Sequence, residues 1–277
     1  MTRSLRACED RQKADAWTIV LASQGIPNWL FRADEGWILT VEDADLARAS
    51  AVVEAYEAEN AAPPGRAPEY GPTHAAWVAS ALLALAFVAS AGREEWIASG
   101  LADAERILEG EIWRTLTALF LHADAGHLLS NAVFLALFGS FVCRALGPGV
   151  GIFAILLAGA LRNALNAAIQ GAGHRSLGAS TAVFGALGIL GALRRPRGGS
   201  AWRRTLPLQA GVAFLVLLGA SPRTDVLAHL FGLVAGVLVG AAAARWLVTP
   251  PRSATVQTGA LAASTGAVVL AWLAALR

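Results

Sequence analysis

The chain has 277 residues, of which 56% are hydrophobic and only 15% charged, well below the roughly 25% charge of ordinary soluble domains. Residues 1–72 carry 7 basic and 12 acidic side chains, whereas residues 73–277 carry 15 and 8, so the net charge of +2 joins an acidic segment to a basic one. No Lys/Arg cluster resembles a nucleic-acid surface, and Cys8 and Cys143 lie far apart without metal-ligand spacing, which makes disulfide and zinc-site readings weak.

Residues 1–60 read as a small soluble α/β domain. Arg11–Gln24 has helical spacing in Ala14, Trp17, Ile19, Val20 and Leu21, and Asp43–Glu57 predicts a second helix. Between them Trp29-Leu-Phe-Arg and Gly36–Val41 predict strands joined by the turn-prone Ala-Asp-Glu-Gly. No histidine and no reactive constellation occurs there, which suits a docking or regulatory module. Residues 61–73, containing Ala-Pro-Pro-Gly-Arg-Ala-Pro, read as a linker. No signal-peptide pattern precedes this domain, so the first span is expected to direct insertion.

From His74 onward nearly uncharged runs recur: 75–91, 125–143, 145–161, 176–193, 205–222, 226–244 and 253–276. Each suffices for a helix crossing a ~30 Å hydrocarbon core, so the sequence predicts an all-α polytopic membrane protein with seven spans. Arg162, near the end of the third run, must snorkel or pack inside. The connection after the fourth run carries Arg194, Arg195, Arg197, Arg203 and Arg204 and no acid, which places it in the cytoplasm. The connection from Arg93 to Arg114 holds three Arg and six acids and suits the outside. The N-terminal domain is then cytoplasmic and the C-terminus external.

Polar side chains at membrane depth are costly and mark candidate sites. His127 and Asn131 open the second run four residues apart, on one helix face; interhelical hydrogen bonding explains either alone. His229 shares a stripe with Gly232, Gly236 and Gly240, where a neighbouring helix approaches closely. Ser180 opens the fourth run, and serine is an ordinary helix cap. What separates these residues from packing groups is depth: with the orientation above, the second, fourth and sixth spans enter from outside, and all four residues lie near those entries. A serine hydroxyl needs a base, which His229 supplies. An oxyanion needs donors, which His127, Asn131 and the Ser180 backbone N–H supply. Phe184, four residues beyond Ser180, stands where it can stack on the imidazole. No acid orients that ring within the span, Asp225 being a turn earlier, so the chemistry reduces to a Ser–His dyad.

In order along the chain these residues resemble the motifs of rhomboid intramembrane serine proteases, over about residues 75–250. Trp113-Arg114 matches the Trp-Arg pair of the first external loop, and His122, His127 and Asn131 match the start of the second span. Gly178-Ala-Ser180 with Phe184-Gly185 matches the nucleophile motif, and Ala228-His229 with Gly232 and Gly236 the sixth span. The resemblance implies a six-helix core over 74–250, an added helix over 251–277, and a bacterial inner-membrane setting with the site opening outward. It also implies cofactor-free cleavage of transmembrane proteins in or near their membrane helices. Ser180 would be nucleophile and His229 base, with His127, Asn131 and the Ser180 N–H as oxyanion hole. His122, Trp113, Arg114, Gly178, Phe184, Gly232 and Gly236 would support them. One departure stands out: Thr181 follows the serine where the family has glycine. A catalytically weak or inactive relative that binds membrane clients is therefore the alternative, and a transporter or channel a weaker third. Substrate identity and oligomeric state are not written in the motifs.

Overall fold

The computed structural model describes residues 2–33, 36–60, 70–171, 173–193, 209, 213, 226–247 and 251–277. The chain divides into two compact units, Met1–Pro64 and Gly65–Arg277.

In the first unit, β1 (Thr2–Cys8), β2 (Asn28–Ala33) and β3 (Gly36–Glu42) form an antiparallel sheet in the order β1–β3–β2. Helix α1 (Arg11–Ser23) starts at Asp10, whose carboxylate accepts from the N–H groups of Gln12 and Lys13 at 2.8 and 3.4 Å. Ala14, Trp17 and Leu21 form its buried stripe, while Ile19, grouped with them in the sequence, is 67% exposed. The second predicted helix starts later than its sequence suggests. Asp43–Asp45 form a 3-10 turn, and α2 spans Leu46–Glu59. Trp17, Leu21, Ile26, Leu39, Val41, Ala49 and Val53 pack as one core. Each large apolar side chain buried there contributes roughly 1.5–3 kcal/mol.

The second unit is helical. Helices α3 (Ala75–Ser90) and α4 (Glu94–Gly100) lead into a two-residue strand, β4 (Ala102–Asp103). Short helices α5 (Ala104–Leu108) and α6 (Arg114–Thr117) follow, then a 3-10 turn at Ala118–Phe120. Helix α7 (Ala125–Leu146) ends at Gly147, whose φ of 91° breaks the helix, and Pro148 immediately opens α8 (Pro148–Gln170). This corrects the third predicted run, 145–161: the boundary falls at Gly147 and the helix continues to Gln170. Arg162 is therefore interior, 2% exposed, and packs inside the protein.

The fourth predicted run also starts later than expected. Arg175–Ser176 form β5, paired antiparallel with β4, and α9 spans Ser180–Leu193. Helices α10 (Val226–Trp246) and α11 (Ala254–Ala275) complete the unit. Gln257 fastens α11 to the α7–α8 turn: its Oε1 accepts from Gly149 N and Val150 N at 2.8 and 3.0 Å, and its Nε2 donates to Leu146 O at 3.0 Å. The first two are open amides of the α8 N-terminus.

Helices α7, α8, α10 and α11 are long and apolar enough to cross a membrane, while α3 and α9 are apolar but shorter. The protein is accordingly a mostly helical integral membrane protein with a small N-terminal strand-containing unit. The predicted fifth run and the Arg194–Arg204 connection, like Asp225, fall outside the described residues, Gln209 and Ala213 excepted.

Candidate active site

Glycines set how closely the elements around Ser180 approach. In α9 and α10 the close pairs are Thr181 with Gly232, Gly185 with Gly236 and Ile189 with Gly240, each step four residues on in both helices. The two helices therefore run parallel with backbones in contact. A Cβ on Gly236 would lie 2.1 Å from the Gly185 carbonyl oxygen, and one on Gly232 would lie 2.8 Å from that of Thr181. Only glycine permits this approach.

The approach brings the first turn of α9 to the first turn of α10. His229 Nε2 lies 3.1 Å from Ser180 Oγ, a hydrogen-bond distance. The Phe184 ring, on the same face of α9 as Ser180, stacks on the imidazole with centroids 4.7 Å apart and planes 25° apart. Phe184 is itself buried, so the stack holds the ring orientation.

Gly178 brings α7 to the same place. Its φ of 121° is one that L side chains rarely adopt. A Cβ there would lie 2.6 Å from His127 Cε1 and 3.5 Å from Asn131 Nδ2. Both side chains thus flank the peptide that leads into Ser180. His127 sits in the first turn of α7, its backbone N–H bound to Asp124 at 2.8 Å. Asn131 is buried, and its Nδ2 has no hydrogen-bond partner among the described residues. Two donor side chains from one helix face therefore stand beside the serine, one of them with an uncommitted amide.

The loop before Ser180 is fixed from below. Gly178 N donates to Ala118 O at 2.9 Å, and Ala179 N donates to His122 Nε2 at 3.4 Å. An accepting Nε2 must be unprotonated. Burial, with His127 nearby, lowers the His122 pKa to about 4, against an opposing contribution from the Phe120 backbone, so the ring is neutral at pH 7. His122 and His127 also meet edge to face, with centroids 5.2 Å apart.

Trp113 and Arg114 lie elsewhere. Arg114 is buried and donates to Glu111 at 2.6 Å and to the carbonyls of Ala98 and Leu101 at 2.8 and 3.0 Å. All three partners belong to the first connecting segment, which the guanidinium organises. Trp113 supplies the carbonyl that accepts from Leu116 N and Thr117 N in α6. Thr181 is buried, 4% exposed, and its Oγ1 has no partner among the described residues.

Sequence reading named Arg162 as a residue that must snorkel or pack inside, but passed over the asparagines beside it. Arg162, Asn163 and Asn166 are all buried on α8, and Ser176 Oγ accepts from Arg162 at 3.2 Å. The signal was available, since adjacent Arg and Asn inside an apolar run are as costly as the histidines that drew notice.

A Rhomboid domain model matches residues 109–246, a stretch holding every side chain described around Ser180. The rhomboid protease GluP of Bacillus subtilis is 32% identical over 158 residues, 55% of this chain and 30% of that protein. The putative rhomboid protease YdcA of the same organism is 29% identical over 137 residues, 48% of this chain and 68% of that protein. The rhomboid-like protease 2 of Toxoplasma gondii is 35% identical over 85 residues, 31% of this chain and 30% of that protein. The chain thus spans less than a third of the length of GluP and about two thirds of that of YdcA. From the Rhomboid domain match together with these relatives, the chain belongs to the rhomboid family.

Proposed function

We propose that this protein is an intramembrane serine endopeptidase, cutting transmembrane proteins within or beside their membrane-spanning helices without a cofactor. The observation that carries the proposal is the 3.1 Å contact between Ser180 Oγ and His229 Nε2. Ser180 Oγ attacks the scissile carbonyl carbon while His229 Nε2 takes its proton. Negative charge then develops on the substrate oxygen, where His127, Asn131 Nδ2 and the Ser180 N–H donate to it. On collapse the C–N bond breaks, and His229 returns the proton to the leaving amine. Water, deprotonated by His229, attacks the acyl-enzyme; its O–C bond forms as the Ser180 Oγ–C bond breaks, and Ser180 regains its proton. Phe184, stacked on the imidazole, does part of the orienting.

The arginine distribution supports the orientation in this proposal, and the family resemblance supports the setting and the helix count. The N-terminal domain (1–60) and its linker (61–73) face the cytoplasm of a bacterial cell, and seven helices span the inner membrane. Six of these form the core (74–250), with 251–277 as the seventh, and the site opens to the outer side. The competing reading, a family member that binds membrane clients without cutting them, draws on Thr181 beside the nucleophile. Co-expression with a single-span reporter protein separates the two. We expect cleavage by the wild type and none by Ser180→Ala or His229→Ala. Equal reporter cleavage in either variant overturns the dyad, and client retention without cleavage by the wild type favours the binder.

A further inference from the structure

We propose that Arg162 is a positioning residue that holds the nucleophile and the base in register from beneath the site, an inference that rests on the Ser180–His229 reading. The guanidinium is buried in the middle of α8. Its Nε donates to the carbonyl of Ala228 at 3.0 Å, and its Nη1 donates to Ser176 Oγ at 3.2 Å and to Asn163 Oδ1 at 2.5 Å. Ala228 immediately precedes His229. Ser176 begins the short descent through Gly178 to Ser180. One planar cation thus grips both chains that carry the dyad, at points one and four residues from the reacting groups.

Few side chains can do this. The carbonyl of Ala228 faces along Nε and the hydroxyl of Ser176 along Nη1, so the fork geometry of arginine fixes the spacing between its two partners. The guanidinium is fixed in turn: Asn163 Nδ2 donates to the carbonyl of Thr115 at 2.8 Å, tying the group to α6. A second tether acts on the same loop, because Ser176 belongs to β5, whose Arg175 binds Asp103 at 2.8 Å. The Gly stripe sets how far apart α9 and α10 stand, and Arg162 sets how Ser180 and His229 face each other at that separation. An interaction of this kind acts on the rate of the chemical step and not on substrate affinity.

The test uses the full chain in proteoliposomes, with activity expressed per titrated active site. Arg162→Lys keeps the charge but not the fork, Arg162→Gln removes the charge, and Ser176→Ala severs the loop arm alone. We expect kcat to fall about tenfold to a hundredfold in both Arg162 variants, with KM within about twofold, the size of effect a misplacement near 1 Å produces. Fluorophosphonate labelling of Ser180 should slow in parallel, and Ser176→Ala should lose about threefold to tenfold. Folded Arg162 variants with wild-type kcat and labelling rate overturn the proposal, as does a loss confined to KM. Where neither Arg162 variant yields monodisperse protein, Ser176→Ala decides, and an unchanged labelling rate there overturns it. Absence of labelling in the wild type instead removes the dyad reading itself.

Discussion

Gly236→Ala places one methyl group at the closest point of the α9–α10 interface. The new Cβ would lie 2.1 Å from the Gly185 carbonyl oxygen, 2.7 Å from its carbon and 2.8 Å from its Cα, all of them backbone atoms. Ordinary contact begins near 3.4 Å, so the helices must separate there by about 1 Å, and no rotamer change relieves it. Overpacking of this sort costs about 1–3 kcal/mol, which leaves a folded protein with a displaced helix. His229 lies two turns earlier on α10, and its 3.1 Å contact to Ser180 stretches beyond hydrogen-bond range if most of that shift reaches it. A misplacement of this size lowers kcat by roughly a hundredfold. Gly259→Ala on α11 is the control, because nothing lies within 4 Å of a Cβ there. Reporter cleavage and fluorophosphonate labelling of purified, monodisperse variants give the answer. Wild-type rates in folded Gly236→Ala, or equal losses in the two alanine variants, would refute the reasoning.

Asn131→Ala removes an amide whose Nδ2 bonds no described residue, so stability should change little while kcat falls about 10²–10³-fold with KM nearly unchanged; a loss seen only in thermal stability would assign Asn131 to packing. His122 contributes to acid sensitivity: its folded-state pKa of about 4 lies below the ordinary 6.5, so the unfolded chain binds the extra proton first as pH falls. Its stabilising contribution is complete above about pH 6.5 and is lost towards pH 4, on the order of 3 kcal/mol. Unfolding measured from pH 7 to 4 should show that loss in the wild type and less of it in His122→Gln; identical slopes would contradict the assignment.

The residues around Ser180 were legible because each violates the rule of an apolar span. A serine, two histidines and an asparagine inside such runs have no bland role in common, and the Gly stripe of α10 announces a close neighbour by its spacing. Arg162 obeyed the same logic, but a misplaced boundary left open whether it snorkels or packs inside. With the third run ended at Leu161, the arginine looks like an interfacial residue, whereas Gly147-Pro148 moves the helix along and buries it. Strand β1 escaped because Thr2–Cys8 alternates weakly, with Arg and Ser interleaved, and gains its order from pairing with β3. The late start of α9 has a similar cause. Leu177 and Ala179 extend the apolar pattern, but the pairing of Ser176 with Ala102 and the φ of Gly178 hold the chain out of the helix. Ile19 shows the limit of counting apolar residues, since two positions beyond Trp17 lies on the opposite face of α1.

Fluorophosphonate labelling of native membranes, with the modified residue mapped by mass spectrometry, tests the dyad most directly. The geometry predicts a single adduct at Ser180 in the wild type and its loss in His229→Ala, because the hydroxyl is unreactive without the base 3.1 Å away. An adduct formed equally fast without His229, or none at Ser180 in folded wild-type protein, would contradict it.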